Sequence, residues 1–141
     1  MTHQNQFKTS YDKLPANAQP VPEFPTYYAT PEGEIWRISA PRQTPFALIP
    51  SRIIKIAARK NDRTPYYHVQ PFKNGKKVNV YLHRLVLMAF KGLPIGDRKE
   101  CHHIDHNPSN NHIDNLMWVN RKENCQLRKS HKENNSSLEN N

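Results

Sequence analysis

Residues 101–124 read CHHIDHNPSNNHIDNLMWVNRKEN, and the fold follows from how this stretch is parsed. Two adjacent histidines in a regular strand point to opposite faces, and they serve one site only where the strand ends. His102 and His103 stand at such an end. Asp105 to Asn111 holds Asn-Pro, Ser and a pair of Asn, residues whose side chains bond their own backbone and tolerate left-handed conformations, so the chain loops there. Leu116, Met117, Trp118 and Val119 form a short apolar run between polar residues, which suits the second strand of a hairpin better than a helix. Asn120 is a natural N-cap with Glu123 three residues beyond it. This variant capping box starts a short helix from Arg121 to about Arg128 or Lys129.

This strand, loop, strand, helix pattern resembles the HNH endonuclease family, whose fold is a hairpin and a helix gripping one metal ion. His103 matches the first motif histidine. Asn115, twelve residues later in Asp-Asn-Leu, matches the motif asparagine, and Asn124, nine residues further on, takes the final position, where many members have histidine. The Arg-Lys-Glu-Asn ending, the Asn-Leu-x-Trp-Val strand and the Asn-x-x-Asn-Asn loop are similar to the branch found in phage and intron-encoded homing endonucleases. Two positions depart from the pattern. His102 stands where the homing branch commonly has an acid, and Arg128 stands where the colicin-like branch has a further histidine, one helical turn past Asn124.

Hydrolysis of a phosphodiester needs a base to activate water and a cation to neutralise charge on the phosphate and the departing 3′ oxygen. Neutral imidazole is a suitable base near pH 7. The resemblance implies that His103 is that base, that His102 and the Asn124 side-chain oxygen hold a divalent metal, and that Asn115 braces the loop that aims His103. Arg128 shares a helix face with Asn124 at i, i+4 and is placed to contact the scissile phosphate. So few protein ligands suit Mg²⁺ or Mn²⁺ completed by substrate and water, while the imidazole ligand also admits Ni²⁺, Co²⁺ or Zn²⁺. A different use of the same residues is a structural zinc site from Cys101, His102 or His103, Cys125 and His131, although the Cys-x-x-Cys spacing of zinc ribbons is missing. His3, His68, His106, His112 and His131 are read as surface or structural.

The 141 residues carry a formal charge of +9 with pI about 9.7, and residues 50–99 hold twelve Lys and Arg against two acids. Counterion release makes double-stranded DNA the expected partner of such a surface. The candidate contacts are Arg52, Lys55, Arg59, Lys60, Lys73, Lys76, Lys77 and Arg84, with Arg121 and Lys122 on the helix. Two cysteines and no signal peptide give no disulfide framework and fit a reducing cytoplasm, that of the host cell for a phage-encoded protein. No apolar run approaches a membrane span.

The expected fold class is α+β, a small β-rich N-terminal module followed by a ββα-metal nuclease motif. Residues 1–25, with prolines at 15, 20, 22 and 25, read as a disordered or loosely docked arm. Residues 26–81 read as a basic β-rich module. It contains a hairpin over Tyr27 to Ile38 around Pro31-Glu-Gly33, a strand within Ile49 to Ala58, and a hairpin of Tyr66 to Phe72 with Lys77 to Tyr81 around Asn74-Gly75. This half resembles the β-rich modules that precede the nuclease motif in phage homing endonucleases. Residues 82–129 form the nuclease domain. They begin with a supporting helix at His83 to Lys91, in which Leu82, Leu85, Val86, Ala89 and Phe90 share a face and Gly92 is the stop. Residues 130–141 are too polar to bury a core and read as a disordered tail. Trp36, Tyr66, Tyr67 and Tyr81 are core residues or, if unpaired bases are bound, stacking faces. The expected activity is that of a monomer with one site, nicking one strand to leave 3′-hydroxyl and 5′-phosphate ends. The rival reading is a DNA-binding regulatory module of little or no activity on the same scaffold.

Overall fold

In the computed structural model, residues 10–139 are described, with side chains described within 11–135. Short alternating segments build the N-terminal half: β1 (Ser10–Tyr11), β2 (Gln19–Pro20), β3 (Tyr27–Ala29), β4 (Ile35–Ser39), β5 (Arg42–Gln43), β6 (Leu48–Ile49) and β7 (Arg52–Ile56). Five of them form one antiparallel sheet in the order β1-β7-β4-β3-β2, and β5 pairs with β6 as an extension of the β4–β7 hairpin. The β3–β4 turn is closed by the buried Thr30, whose hydroxyl accepts from the Glu34 N–H at 3.0 Å.

The N-terminal arm differs from the loose segment expected. Residues 1–9 lie outside the described residues, but β1 pairs with β7 and β2 with β3, while Val21 and Phe24 are buried in the core. Tyr11 meets the Trp36 ring edge-on at 4.7 Å. The prolines are compatible with this because β2 lies at a sheet edge, where a missing N–H costs no ladder bond.

The second hairpin breaks into two ladders. β8 (Arg59–Lys60), β9 (Tyr67–Val69) and β12 (Val80–Tyr81) make a three-stranded sheet, and β10 (Phe72–Lys73) pairs with β11 (Lys76–Lys77) across Asn74-Gly75. Both turn residues have positive φ, 53° and 78°, the conformation that two-residue hairpin loops require.

Helix α1 (Leu82–Lys91) joins the two halves. Leu85, Val86 and Leu87 are completely buried, with Leu82 and Met88 beside them, in a core shared with Val21, Phe24, Tyr27, Ile35, Val69 and Leu116. One apolar stripe was expected, of Leu82, Leu85, Val86, Ala89 and Phe90. Leu87 and Met88 are buried as well because α1 contacts β2, β3, β9 and β12 of the sheets together with the C-terminal hairpin, so more than one stripe is covered. Gly92 ends it with φ 76°, its N–H bonded to the Met88 carbonyl at 3.1 Å. Two bonds then fasten this end to the hairpin: Lys91 Nζ donates to the Leu116 carbonyl at 2.9 Å, and Trp118 Nε1 to the Gly92 carbonyl at 3.1 Å.

The C-terminal hairpin is β13 (Glu100–His103) paired with β14 (Leu116–Val119), a single 3₁₀ turn (Ile113–Asn115) entering the second strand. Helix α2 follows, Arg121–Glu139. It outruns the helix expected to stop near Lys129 and replaces most of the expected disordered tail. The sequence argument weighed the lack of a buried face, but a helix nucleated by a strong cap adds residues locally, without burial, through bonds of its own and i, i+4 pairs such as Asn135 to His131. The cap is reciprocal: the Glu123 N–H donates to Asn120 Oδ1 at 2.7 Å, and the Asn120 N–H to Glu123 Oε1 at 3.2 Å. The architecture is α+β, as expected.

Candidate active site

The loop between β13 and β14 is held by its own polar side chains. Asn115, buried at the end of the 3₁₀ turn, accepts from the Asp105 N–H at 2.9 Å and donates to Asp105 Oδ1 and to the Asn110 carbonyl, both at 2.9 Å. Asp105 also takes Asn110 Nδ2 at 2.8 Å and the Asn107 N–H at 2.8 Å. The Asn110 bond first, then the Asn107 N–H, hold the Asp105 carboxyl below its usual value. A residue pair ten apart in sequence is thereby cross-braced, and the strand end carrying the histidines has a fixed exit.

His103 is buried at that end. Its Nε2 lies 3.0 Å from Asn111 Oδ1. Because an amide oxygen can only accept, Nε2 is the donor, and in the neutral ring the lone pair is on Nδ1. Tyr66 stacks on the ring at 5.9 Å, and His83 of α1 meets it edge-on at 4.9 Å. His83 is itself enclosed by Tyr66 and Tyr81, and its buried Nδ1 has no hydrogen-bond partner. Burial first, then the neighbouring His103 and Arg84, pull its pKa down to about 3. Asn111 is approached in turn by the β3–β4 turn. A Cβ on Gly33, at φ 94°, would fall 2.9 Å from the Asn111 carbonyl oxygen, and the Ile113 N–H donates to the Pro31 carbonyl at 2.8 Å. Only glycine lets the sheet touch the loop this closely.

His102 is buried beside Asn124. Burial first, then His106 and His103, keep His102 below the ordinary imidazole value, against the raising effect of Asn124. Asn124 gives its Nδ2 to Glu100 Oε2 at 3.2 Å, which leaves its side-chain oxygen as the group that can act as a ligand. An imidazole nitrogen and an amide oxygen lining one cleft are ligand types that a weakly held divalent cation accepts. The two residues line a cleft of about 560 Å³ together with His103, Tyr66, His106, Arg128 and His131. His106, read from sequence as incidental, meets His102 edge-on at 5.0 Å and stacks on His131 of α2 at 3.8 Å.

Asn111 and Glu100 were not singled out in the sequence, nor were the roles that Gly33, Tyr66, His83 and His106 take around the histidines. Asn111 is the last Asn of the Asn-x-x-Asn-Asn loop, which marked the loop but not the partner of this side chain. The structural zinc alternative is not supported: among the described residues no three His, Cys, Asp or Glu side chains converge on a point, burial pushes the Cys101 thiol up to about 12, and Cys125 is exposed.

The basic candidates divide into free and engaged. Arg52, Arg59, Lys60, Lys76, Arg121 and Lys122 are exposed, as is Lys77, whose ammonium lies over the Phe72 ring. Lys55 pairs with Glu34, and Lys73 lies 3.5 Å from Glu23. Arg84 is spent inside the fold, donating to the Lys99 carbonyl at 2.9 Å and stacking over Trp118. Trp36 is buried, whereas Tyr66 faces the cleft. No described helix is long and apolar enough to cross a membrane.

Residues 80–126 match the family model described as HNH endonuclease. The chain is 28% identical over 108 residues to the H-N-H endonuclease F-TflII of Escherichia phage T5, covering 76% of this chain and 49% of that protein. Its fold is similar to a solved structure titled "DNA binding and cleavage by the HNH homing endonuclease I-HmuI", with TM-score 0.58 and 26% identity over 77% of this chain and 54% of that one. The chain thus spans about half the length of each relative. The hairpin, the cap and the paired histidines lie inside the matched segment, so this part of the chain is similar to the HNH endonuclease family.

Proposed function

We propose that the protein is a metal-dependent DNA endonuclease that nicks one strand of duplex DNA, leaving 3′-hydroxyl and 5′-phosphate ends. The observation that carries this reading is the cleft that gathers His103, its Nε2 committed to Asn111, with His102, Asn124 and Arg128. His103 Nδ1 takes the proton of the attacking water, and Asn111 holds the ring in the tautomer that can do so. Asn115 keeps the loop rigid enough for this aim to persist. Arg128 lines the same cleft one turn after Asn124 on α2, where a guanidinium offers a phosphate two parallel donors. His102 and Asn124 would hold Mg²⁺ or Mn²⁺, with Ni²⁺, Co²⁺ or Zn²⁺ as chemically acceptable substitutes. The bound cation supplies charge neutralisation at the phosphate and the departing 3′ oxygen. The exposed cations Arg52, Arg59, Lys60, Lys76, Lys77, Arg121 and Lys122 contact the DNA backbone, and Lys55 and Lys73 join them where phosphate displaces their acidic partners. One site in a monomer gives a nick.

The test is conversion of supercoiled plasmid to open circle with Mg²⁺, Mn²⁺ or EDTA, beside His103→Ala whose DNA binding is checked by gel shift. Nicking by the wild type alone, and only with metal, is the expected result. The departures at His102 and Arg128 favour one second reading, a DNA-binding regulatory module without useful activity. It predicts equal binding by both proteins and no metal-dependent turnover.

A further inference from the structure

We propose that the tip of the β5–β6 hairpin is a DNA wedge, with Phe46 inserting between neighbouring base pairs of the duplex at a distance from the cleft. The inference rests on the DNA-cleaving reading and extends it to a surface that reading leaves unused.

The hairpin is continuous with the sheet. Ser39 is paired with Arg52 at the end of β4–β7, and Arg42 with Ile49 at the start of β5–β6. Its tip is a built turn. The Thr44 N–H donates to the Ala47 carbonyl at 2.9 Å, and the Thr44 hydroxyl accepts from the Ala47 and Phe46 N–H groups at 3.0 and 3.3 Å while donating to the Ala47 carbonyl at 2.9 Å. With its polar groups satisfied in this way, the turn presents Phe46 at 95% exposure, with Leu48 at 65% beside it. Phe46 is the most exposed large apolar side chain among the described residues. An ordered aromatic held out in water at the end of an arm is shaped for a flat apolar partner.

Charge selects the partner. The arm, residues 35–56, carries Arg37, Arg42, Arg52 and Lys55 and no Asp or Glu. Two copies of such an arm repel each other, and so does a basic protein surface. A polyanion whose interior consists of stacked apolar rings satisfies both the cations of the stem and the aromatic of the tip, and apolar side chains on minor-groove proteins unstack base steps in this way. Reach sets the place. The β3–β4 turn touches the catalytic loop, and Phe46 lies eleven residues beyond Ile35, up to about 35 Å along an extended hairpin. That is about one turn of duplex from the cut.

The experiment measures ring closure by ligase of mixed-sequence fragments of about 100 bp, shorter than the DNA persistence length, in the presence of the full chain carrying His103→Ala to prevent cutting. A wedge kinks the duplex, so this protein accelerates closure severalfold over DNA alone. Adding Phe46→Ala removes the acceleration, and Phe46→Leu, still apolar, keeps part of it. An exposed side chain is outside the core, so all three proteins share one melting temperature. Equal closure and equal gel-shift affinity with Phe46→Ala overturn the wedge while leaving DNA binding intact. Absence of any gel shift by all three overturns the DNA reading and the wedge with it. A dimer in sedimentation that Phe46→Ala converts to monomer overturns the wedge in favour of a second copy as the occupant.

Discussion

Two hairpins in this molecule solve opposite problems. The one formed by β13 and β14 folds its loop back on itself, with Asn115, Asp105 and Asn110 exchanging bonds of 2.8–2.9 Å, so that two histidines at the strand end hold one position. The one formed by β4–β7 and extended by β5–β6 projects its loop outward and leaves an aromatic in water. The first spends side-chain amides on internal bonds, and the second bonds its turn locally through Thr44 so that its apolar residues stay unpartnered. Immobility at the end of one arm and exposure at the end of the other are the properties expected of a reacting centre and a gripping surface. The two are connected where the β3–β4 turn abuts Asn111.

That junction is where the largest effect is expected. Asn111→Ala removes the acceptor that orients His103 Nε2, and misorientation of a general base costs about 10²-fold or more in turnover. Binding of DNA is expected to be unchanged. Asn111→Asp, which keeps an acceptor at the same place, retains more activity than Asn111→Ala. Gly33→Ala reaches the same residue from the sheet, since its Cβ would press on the Asn111 carbonyl. It should lower the nicking rate with no change in the residues of the cleft. Single-turnover nicking rates for the three variants, with gel-shift affinities, decide the matter; rates within twofold of wild type would separate the sheet from the chemistry.

The division between what was legible in the sequence and what was not follows the same line. Local chemistry was readable: the capping box of Asn120 and Glu123, the Asn74-Gly75 turn, the strand pair flanking the Asn-rich loop, and Gly92 as a helix stop all depend on neighbours a few residues away. Contacts made across the fold were not. Nothing near Asn111 in the chain says that it faces His103 rather than solvent, and Gly33 is an ordinary turn glycine until the loop packed on it is seen. His83 and His106 have the same chemistry as any surface histidine, and only tertiary placement puts one behind His103 and the other between His102 and His131. The N-terminal arm and α2 were underrated for another reason. Composition measures how much a segment can bury alone, whereas β1 and β2 gain order from strands already in place and α2 from its cap.

His83 gives the next effect in size, through acid. Its folded pKa is pulled down to about 3, below the usual histidine value of about 6.5 in an unfolded chain. Above pH 6.5 neither state is charged and stability is complete. As pH falls from 6.5 toward 3 the unfolded chain takes up a proton that the folded chain refuses, so stability declines by up to about 1.4 kcal/mol per pH unit. At pH 5 the loss is about 2 kcal/mol. The titratable or charged groups facing this ring are His103 and Arg84, and Tyr66 and Tyr81 enclose the rest. Urea denaturation at pH 7 and pH 5 should therefore show a drop in midpoint that His83→Leu flattens. A slope unchanged in His83→Leu assigns the acid sensitivity to other groups.

The smallest effect concerns how firmly Asn124, the proposed metal ligand on α2, is held. Asn124 lies in the first turn of α2, its N–H bonded to the Asn120 carbonyl at 3.0 Å, and so depends on a cap four residues earlier. Asn120 also gives its Nδ2 to Asp97 at 3.3 Å, while Arg98 lies 3.3 Å from the capping Glu123, so the helix start is moored to the loop before β13. Asn120→Ala removes the cap and the Asp97 bond, at about 1 kcal/mol of stability. Fraying of that first turn loosens Asn124 without touching His102 or His103. The expected kinetic signature is a rise in the metal concentration needed for half-maximal nicking with little change in the rate at saturating metal. Asn120→Ser restores the side-chain acceptor without the amide, and should recover the metal dependence while leaving the Asp97 contact broken. If Ser and Ala behave alike, the mooring to Asp97 rather than the cap holds Asn124 in place.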